Sequence, residues 1–426
     1  MVNDHQIRVT IVGLNYKPEP TGIAPYTSGL ASGLHELGWE IRAVTGYPHY
    51  PSWRVSEGYV GNRMSDTVDD VPVTRVRPYM PRNPSGLKRL LVELSFGFRS
   101  SQVAWGQPDV VVLVSPALFS SAIAIVRARL SPRRPKVVVW VQDLYGLGVS
   151  ETGALGKGPA RIMRLFESFV LRRADKVVVI HDRFKRHVVE RLGLRSDDVE
   201  VIRNWTHLEL LSADTLNYRE KFGWTDEIVV LHAGNMGAKQ ALENVIDAAR
   251  LADLSRANVR FVLLGNGNQR GILEARAAGI ERIDFMESLT DHDFQGAMRA
   301  ADILLVNEKP GVTEMAVPSK LTSYFAAGRP VIAATDEGSI TAEEIGAAGA
   351  GVRVDAGHPQ ALLDAVMRLG ADVESSKLFG ECGARFQLQV LSRDSAISHY
   401  AEVIKRLARG QRHPAKANST VNSGEV

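Results

Sequence analysis

Residues 316–334 read AVPSKLTSYFAAGRPVIAA. Pro318 and Ser319 are residues that start helices, Gly328 is one that stops them, and RPVIAA (329–334) follows at once as a buried strand. Punctuation of this kind accounts for Gly328 and Pro330. It does not account for Lys320, because a cation beside a helix start opposes the helix dipole unless an anion is bound there. The stretch therefore carries two expectations: a helix that feeds directly into a strand, and an anion near Pro318, Ser319 and Lys320.

The same helix-to-strand alternation extends in both directions. In the first half, RVTIVG (8–13), EIRAVTG (40–46), VPVTRVR (71–77), DVVVLVS (109–115), KVVVWVQD (136–143), KVVVIH (176–181) and VEVIRN (199–204) read as strands. Several are apolar on both faces, as a parallel sheet covered by helices on each side requires. Helical segments such as 24–37, 117–130 and 160–173 lie between them. A polar stretch after Asn204 reads as a linker with one short helix. The alternation then resumes with IVVLHAG (228–234), VRFVLLG (259–265), IDFMES (283–288), ADILLVN (301–307), RPVIAA and AGVRVD (350–355). The expected architecture is α/β: a first Rossmann-like domain over 1–205 and a second over 206–390, both doubly wound and facing each other across a cleft. The last helix, 392–408, follows a poorly patterned region and, within 391–409, is expected to pack back toward the first domain. The tail 410–426 is expected to be disordered.

Composition bounds the function. The 426 residues are 45% hydrophobic and 23% charged, which fits a soluble globular protein of two or three domains. A net charge of +3 does not call for nucleic acid as a partner. Basic residues do cluster in the first half, at 77–89, 127–136 and 172–176, and an anionic membrane surface is one reading of them. Lys88, Arg89, Arg133 and Arg134, with the apolar LLVELSFGF (90–98), are the residues expected to make a weak peripheral contact there. Cys382 is the only cysteine, so no internal disulfide can form. The longest uncharged run, 110–126, is too short for a bilayer span and contains Ser115-Pro116. With no secretion signal in MVNDHQIRVTIVG, the expected location is cytoplasmic, extending to the inner face of the plasma membrane.

Three loops of the second half leave strand ends and are rich in small or polar groups: HAGNMGAK (232–239), LLGNGNQR (263–270) and NEKPGVTEMAVPSK (307–320). One Gly-rich turn says little, but three on one sheet edge suggest a phosphorylated ligand. Neither a Walker A pattern nor a GxGxxG after the first strand occurs, which weighs against P-loop NTPases and NAD dehydrogenases. Zinc-ligand spacings and a GxSxG elbow are also missing.

The blocks HAGNMGAKQALENVIDAA (232–249), LLGNGNQR and VPSKLTSYFAAGRPVIAA resemble the donor domain of GT-B glycosyltransferases of family 4. GLNYKPEPTGIAPYTSGLASGLHELGWEIRAVTG (13–46) resembles the acceptor-domain opening of one branch, the bacterial exopolysaccharide, capsule and O-antigen transferases, including fucosyl and N-acetyl-fucosaminyl types. The resemblance runs from about residue 8 to 407. It implies metal-independent, retaining transfer from a UDP- or GDP-sugar, with no cofactor, to a membrane-bound lipid-linked or polysaccharide-precursor acceptor. Carried onto this sequence, it makes Gly22, Gly234, Asn235, Lys239, Gly265, Asn266, Gly267, Pro318, Ser319, Lys320 and Ser323 the expected nucleotide-sugar contacts. Asp143, His181 and Glu314 are the expected catalytic groups. The sequence departs from the family in several places. Asn235 and Gln240 stand where relatives carry Arg and Lys. Ser323 replaces the second Glu of a pair, and Glu314 lies one position from the first. Gln142 stands where a cleft His is common. Two alternatives share this architecture or part of it: a nucleotide-sugar epimerase, marked by donor hydrolysis without acceptor, and a non-catalytic scaffold, marked by nucleotide binding without turnover.

Overall fold

The computed structural model describes residues 7–20, 22–50, 52–81, 87–144, 157–205, 217–312 and 320–410. Glu314, Pro318, Ser319 and the tail 411–426 lie outside the described residues, as does most of the polar stretch after Asn204. Eight strands form the first sheet: β1 (Arg8–Gly13), β2 (Glu40–Gly46), β3 (Arg63–Val68), β4 (Val71–Val76), β5 (Val110–Ser115), β6 (Lys136–Val141), β7 (Lys176–Val179) and β8 (Val199–Val201). Their spatial order is β3-β4-β2-β1-β5-β6-β7-β8. All neighbours are parallel except β3 and β4.

The central strand β5 is buried at every position. Its Val-rich sequence fits a strand covered on both faces, where β-branched side chains pack well and water never reaches the backbone. Strand β3, RMSDTV, is different in kind. Its exposure alternates with every residue, as an edge strand requires, and it was not among the strands expected above. Asp69 and Asp70 join it to β4 with φ of 49° and 60°, the two left-handed residues of a tight hairpin turn.

The second sheet holds β9 (Ile228–Ala233), β10 (Val259–Leu264), β11 (Ile283–Met286), β12 (Ile303–Asn307), β13 (Val331–Ala334) and β14 (Gly351–Val354), in the order β11-β10-β9-β12-β13-β14. Every pairing is parallel. In both sheets the chain winds outward in two directions from a central pair, β1/β5 in the first and β9/β12 in the second. Loops leaving such a pair at its C-terminal ends diverge, and the crevice between them is where this architecture binds ligands. The fold thus defines two candidate crevices before any side chain is considered.

Two chain segments cross between the domains. One follows Trp205. The other lies between Leu391, in a core cluster of the second sheet, and Ala396, in the core of the first. The region before that second crossing carries regular helix over Pro359–Ala371 and Val373–Val390, where the sequence shows little patterning. Helix Arg393–Ala408 then lies on the first domain. Arg393 holds Glu36 at 2.7 and 2.9 Å, Ile397 packs against Gly33, and Tyr400 sits 5.1 Å from Trp140 between ring centroids.

A third contact joins the domains directly. Helix Ile340–Ala348 of the second domain inserts Ile340 into the first core. Its Glu344 accepts from Arg203 Nη2 at 2.9 Å and lies 3.0 Å from His181 Nε2, while Arg183 reaches Glu343 at 2.6 Å. Burial pushes the Glu344 carboxyl up, but the His181 and Arg203 contacts prevail and hold it below the usual range.

Candidate active site

The crevice of the second sheet is built from backbone first. Gly234 N donates to Leu264 O at 2.8 Å and Met236 N to Asn266 O at 2.9 Å, so the loops after β9 and β10 run edge to edge. Gly265 adopts φ of +127°, and a Cβ there would fall 2.2 Å from Gly234 O. Only glycine fits that approach. Gly267 is similarly confined, since its Cβ would fall 2.4 Å from Met236 O, while its N–H is capped by Asn266 Oδ1 at 2.8 Å.

A side chain of β9 and one at the start of helix Lys320–Ala326 meet beside this backbone. His232, fully buried on β9, places Nδ1 3.2 Å from Leu305 O and Nε2 3.4 Å from Lys320 Nζ. A carbonyl only accepts, so Nδ1 carries the proton and Nε2 offers its lone pair to the ammonium. Burial, together with the charge of Lys320, holds His232 far below its ordinary pKa and therefore neutral. Burial also pushes Lys320 down to about 8, against the opposing pull of Glu308. Glu308 accepts from Thr335 and Thr341 hydroxyls at 2.5 and 2.6 Å, and burial raises its carboxyl pKa. Among the described residues Lys320 forms no ion pair with a carboxylate within 4.0 Å, and its ammonium meets the imidazole lone pair of His232. An anion that reaches this desolvated ammonium would offset the cost of its burial.

Of the other expected donor contacts, Ser323 is buried on helix Lys320–Ala326, and Asn235 and Lys239 are exposed on the loop after β9. That loop is pinned by Lys309 N donating to Lys239 O at 2.8 Å and by Asn307 Nδ2 donating to Gln240 O at 2.7 Å. Gln240, in the place of the family Lys, is turned inward: its Oε1 accepts from Gly237 N at 3.1 Å.

The crevice of the first sheet holds a cavity of about 210 Å³ at the ends of β1 and β5. Asn15, Gly22, His49, Arg89, Glu93 and Asp143 supply polar groups or backbone to its wall, and Tyr50 and Trp53 an aromatic side. Its organiser is Glu19, which is buried. One carboxylate oxygen accepts from His49 N at 2.7 Å and Tyr50 N at 2.9 Å, and the other from Asn15 Nδ2 at 2.8 Å. Neither Glu19 nor His49 was singled out from sequence. The aromatic and Pro-rich GYPHYPSW (46–53) directly after β2 was the available signal, because strand ends on this edge are where ligands bind.

Asp143 lines this cavity, with Oδ1 accepting from Leu144 N at 2.9 Å. Burial raises its carboxyl pKa, and both Lys239 of the second domain and Arg89 oppose that rise. Lys239 thus acts electrostatically on Asp143 across the domain boundary. Gln142 is not turned to the cavity but exchanges two amide hydrogen bonds with Asn204, at 2.7 and 3.2 Å. His181 lies elsewhere. It caps helix Asp182–Glu190 by accepting from Arg183 N at 3.1 Å, and its other nitrogen meets Glu344. The structure thus gathers Gly22 and Asp143 on one side of the cleft and Gly234, Gly265, Gly267 and Lys320 on the other, and assigns His181 to the domain contact.

Residues 21–205 match the family described as "Glycosyl transferase 4-like domain", and residues 227–372 match "Glycosyl transferases group 1". Among characterised sequences, the chain is 32% identical over 340 residues to the "Putative colanic acid biosynthesis glycosyl transferase WcaI" of Escherichia coli K12, covering 76% of this chain and 82% of that one. Among solved structures, sucrose-phosphate synthase of Thermosynechococcus elongatus superposes with a TM-score of 0.73 at 15% identity, over 95% of this chain and all of that one. Anabaena Alr3699/HepE in complex with UDP superposes with a TM-score of 0.68 at 16% identity, over 94% of this chain and all of that one. Both structures have the same two-domain fold.

Proposed function

The chain belongs to the GT-B glycosyltransferases of family 4, enzymes with a nucleotide-sugar donor, and from that premise we propose that it transfers a hexosyl group, with retention, onto a saccharide acceptor held at a membrane. The observation that carries this reading is the Lys320 ammonium at the β9/β12 crevice, held by His232 and with no carboxylate within 4.0 Å among the described residues, with Asp143 across the cleft. A cation so placed meets the charge that builds on a departing diphosphate. Asp143 is proposed to hold an acceptor hydroxyl, and Gly22, which lines the same cavity, to contact the donor through its backbone. WcaI's description, "Putative colanic acid biosynthesis glycosyl transferase", supports a polysaccharide-precursor acceptor, and the UDP held by HepE supports a uridine diphosphate leaving group, with guanosine diphosphate the alternative to be tested. The decisive experiment is calorimetric titration with UDP and GDP, followed by transfer assays that begin with fucose-type donors and read the anomeric configuration of the product. Absence of binding by both nucleotides would sink the reading.

Transfer is expected to proceed without a divalent metal. Lys320 is proposed to supply the charge in its place. Rates in EDTA should equal those in Mg²⁺ or Mn²⁺; abolition by EDTA, with recovery on adding metal, would overturn this. Glu314 is proposed as the partner of donor sugar hydroxyls, by its place in the family pattern. Glu314→Ala should leave nucleoside diphosphate affinity within about twofold of wild type and lower the transfer rate at least tenfold, the loss of one charge-assisted contact. Equal losses in both measurements would remove that assignment.

A further inference from the structure

Three helices of the first domain, Leu87–Ser101, Leu118–Leu130 and Lys157–Leu171, lie side by side. Gly97 admits Ser120 so closely that a Cβ there would fall 2.7 Å from Ser120 Cα, and Phe119 stacks on Phe166 with centroids 4.7 Å apart. Their inner faces are conventional core. Their outer faces are not. Leu91, Leu94 and Phe98 recur at helical spacing on the first, Val126 and Leu130 on the second, and Ile162, Leu165 and Phe169 on the third, all exposed; Phe98 and Leu165 are each 61% accessible and Leu130 79%. Isolated exposed apolar residues need no explanation, but three adjoining stripes make a continuous patch of a kind that marks an interaction surface.

The charges decide what covers it. The acidic residues of these helices, Glu93 and Glu167, are both buried. The charged side chains exposed on them are all basic among the described residues: Lys88, Arg89, Arg129, Arg161 and Arg164. Arg172 and Arg173 extend the series past the third helix, and the Arg173 guanidinium sits 4.5 Å from the Phe169 ring centre. Arg129 is paired with Asp175 at 2.9 Å, but an apolar stripe flanked by Arg and Lys, with no exposed acid among the described residues of the three helices, complements an anionic bilayer, whose headgroups take the cations while the apolar side chains enter the acyl boundary. A protein partner would commonly be met by mixed charge at the rim.

We propose that this three-helix face docks on an anionic lipid surface. Helix Leu87–Ser101 belongs to both structures. Leu91, Leu94 and Phe98 lie in the patch, whereas Arg89, Val92 and Glu93 line the first-domain cavity. Docking therefore sets the mouth of that cavity at the level of the headgroups, and an acceptor anchored in the bilayer reaches it without leaving the membrane. The inference deepens the proposed transfer reaction by naming the surface that presents the acceptor. It also shifts the contact expected from sequence: helix Lys157–Leu171 contributes as much of it as residues 88–98.

The test is co-sedimentation of the full-length protein with vesicles of phosphatidylcholine alone and with 30% phosphatidylglycerol, with UDP and GDP titrations on every variant. Wild type should bind the anionic vesicles at least tenfold better than the neutral ones. Ile162→Glu/Leu165→Glu/Phe169→Glu and Arg161→Gln/Arg164→Gln should each lose that binding while keeping nucleotide affinity and melting temperature. Leu254→Glu, an exposed apolar residue of the second domain, should change nothing. Wild type that ignores anionic vesicles, or a triple variant that binds as wild type does, overturns the inference. So does a wild-type dimer in sedimentation velocity that the triple variant converts to a monomer, because the patch would then cover a second copy. Nucleotide affinity separates these failures from failure of the transferase reading, which falls only if wild type binds neither UDP nor GDP.

Discussion

Lys320→Ala is expected to weaken binding of a nucleoside diphosphate roughly 10- to 150-fold, the loss of a charge-assisted contact of about 1.5–3 kcal/mol. The pH dependence identifies the group responsible. Free Lys320 has its pKa pushed down to about 8. A bound diphosphate favours the ammonium and raises that value, so above about pH 8 binding must take up a proton. Wild-type affinity should then fall with pH, approaching tenfold per unit between pH 8 and the pKa of the complex, and should be level below pH 8 as far as this group is concerned. The alanine variant should lack that slope. The same shift predicts an opposite effect on stability. The folded pKa lies below the unfolded value of 10.5, so the cost of holding a buried ammonium is fully present below about pH 8 and disappears as pH rises toward 10.5. Ligand-free Lys320→Met should consequently be more stable than wild type at pH 7, and the gap should close by pH 10. Calorimetry with UDP and GDP across pH 7–9, together with thermal unfolding across pH 7–10, reads both effects. Unaltered nucleotide affinity in the alanine variant removes Lys320 from the donor site.

Glu19→Ala is expected to abolish transfer while sparing nucleotide binding. The carboxylate satisfies three donors at the wall of the first cavity, two of them backbone N–H groups of His49 and Tyr50. Each buried donor left without a partner costs about 1–3 kcal/mol, so the loop carrying His49, Tyr50 and Trp53 should leave its present position rather than hold it unpaired. A melting point several degrees lower, a transfer rate at least a hundredfold down and unchanged UDP or GDP affinity are the expected results. Glu19→Gln keeps one acceptor oxygen and should fall between the two. Normal transfer in the alanine variant would detach this loop from acceptor binding.

The parts of the structure that were legible in the sequence are those dictated by local pattern. Apolar runs such as VVVLVS betray a buried parallel strand because no face of it meets water. The second sheet could be read strand by strand for the same reason. Strand β3 was illegible because an edge strand carries polar residues, and its Asp69-Asp70 turn lacks the glycine that usually marks such a hairpin. The donor crevice was half legible. Its glycines are local features, and Lys320 stood out against the helix dipole, but its partner His232 is 88 residues away on another strand. Glu19 and His49 were hidden because their roles depend on a long-range contact, 30 residues apart, that composition does not record. His181 closes the run KVVVIH on the ligand-binding edge, as a cleft residue would, but β7 stops at Val179, and only the packing of helix Ile340–Ala348 reveals what His181 touches.

The second crossing between domains has a mechanical consequence. A body tethered to another at one point can swivel about any axis through that point; tethered at two, it can turn only about the line that joins them. The second domain leaves the first after Trp205 and is fastened to it again between Leu391 and Ala396, where helix Arg393–Ala408 is clamped by Arg393, Ile397 and Tyr400. Those two tethers, with the Ile340 and Glu344 contacts of helix Ile340–Ala348 between the same two domains, define the seam about which the domains can turn. Any movement of one domain on the other is confined to turning about that seam, and it is expected to carry Lys239 toward or away from Asp143.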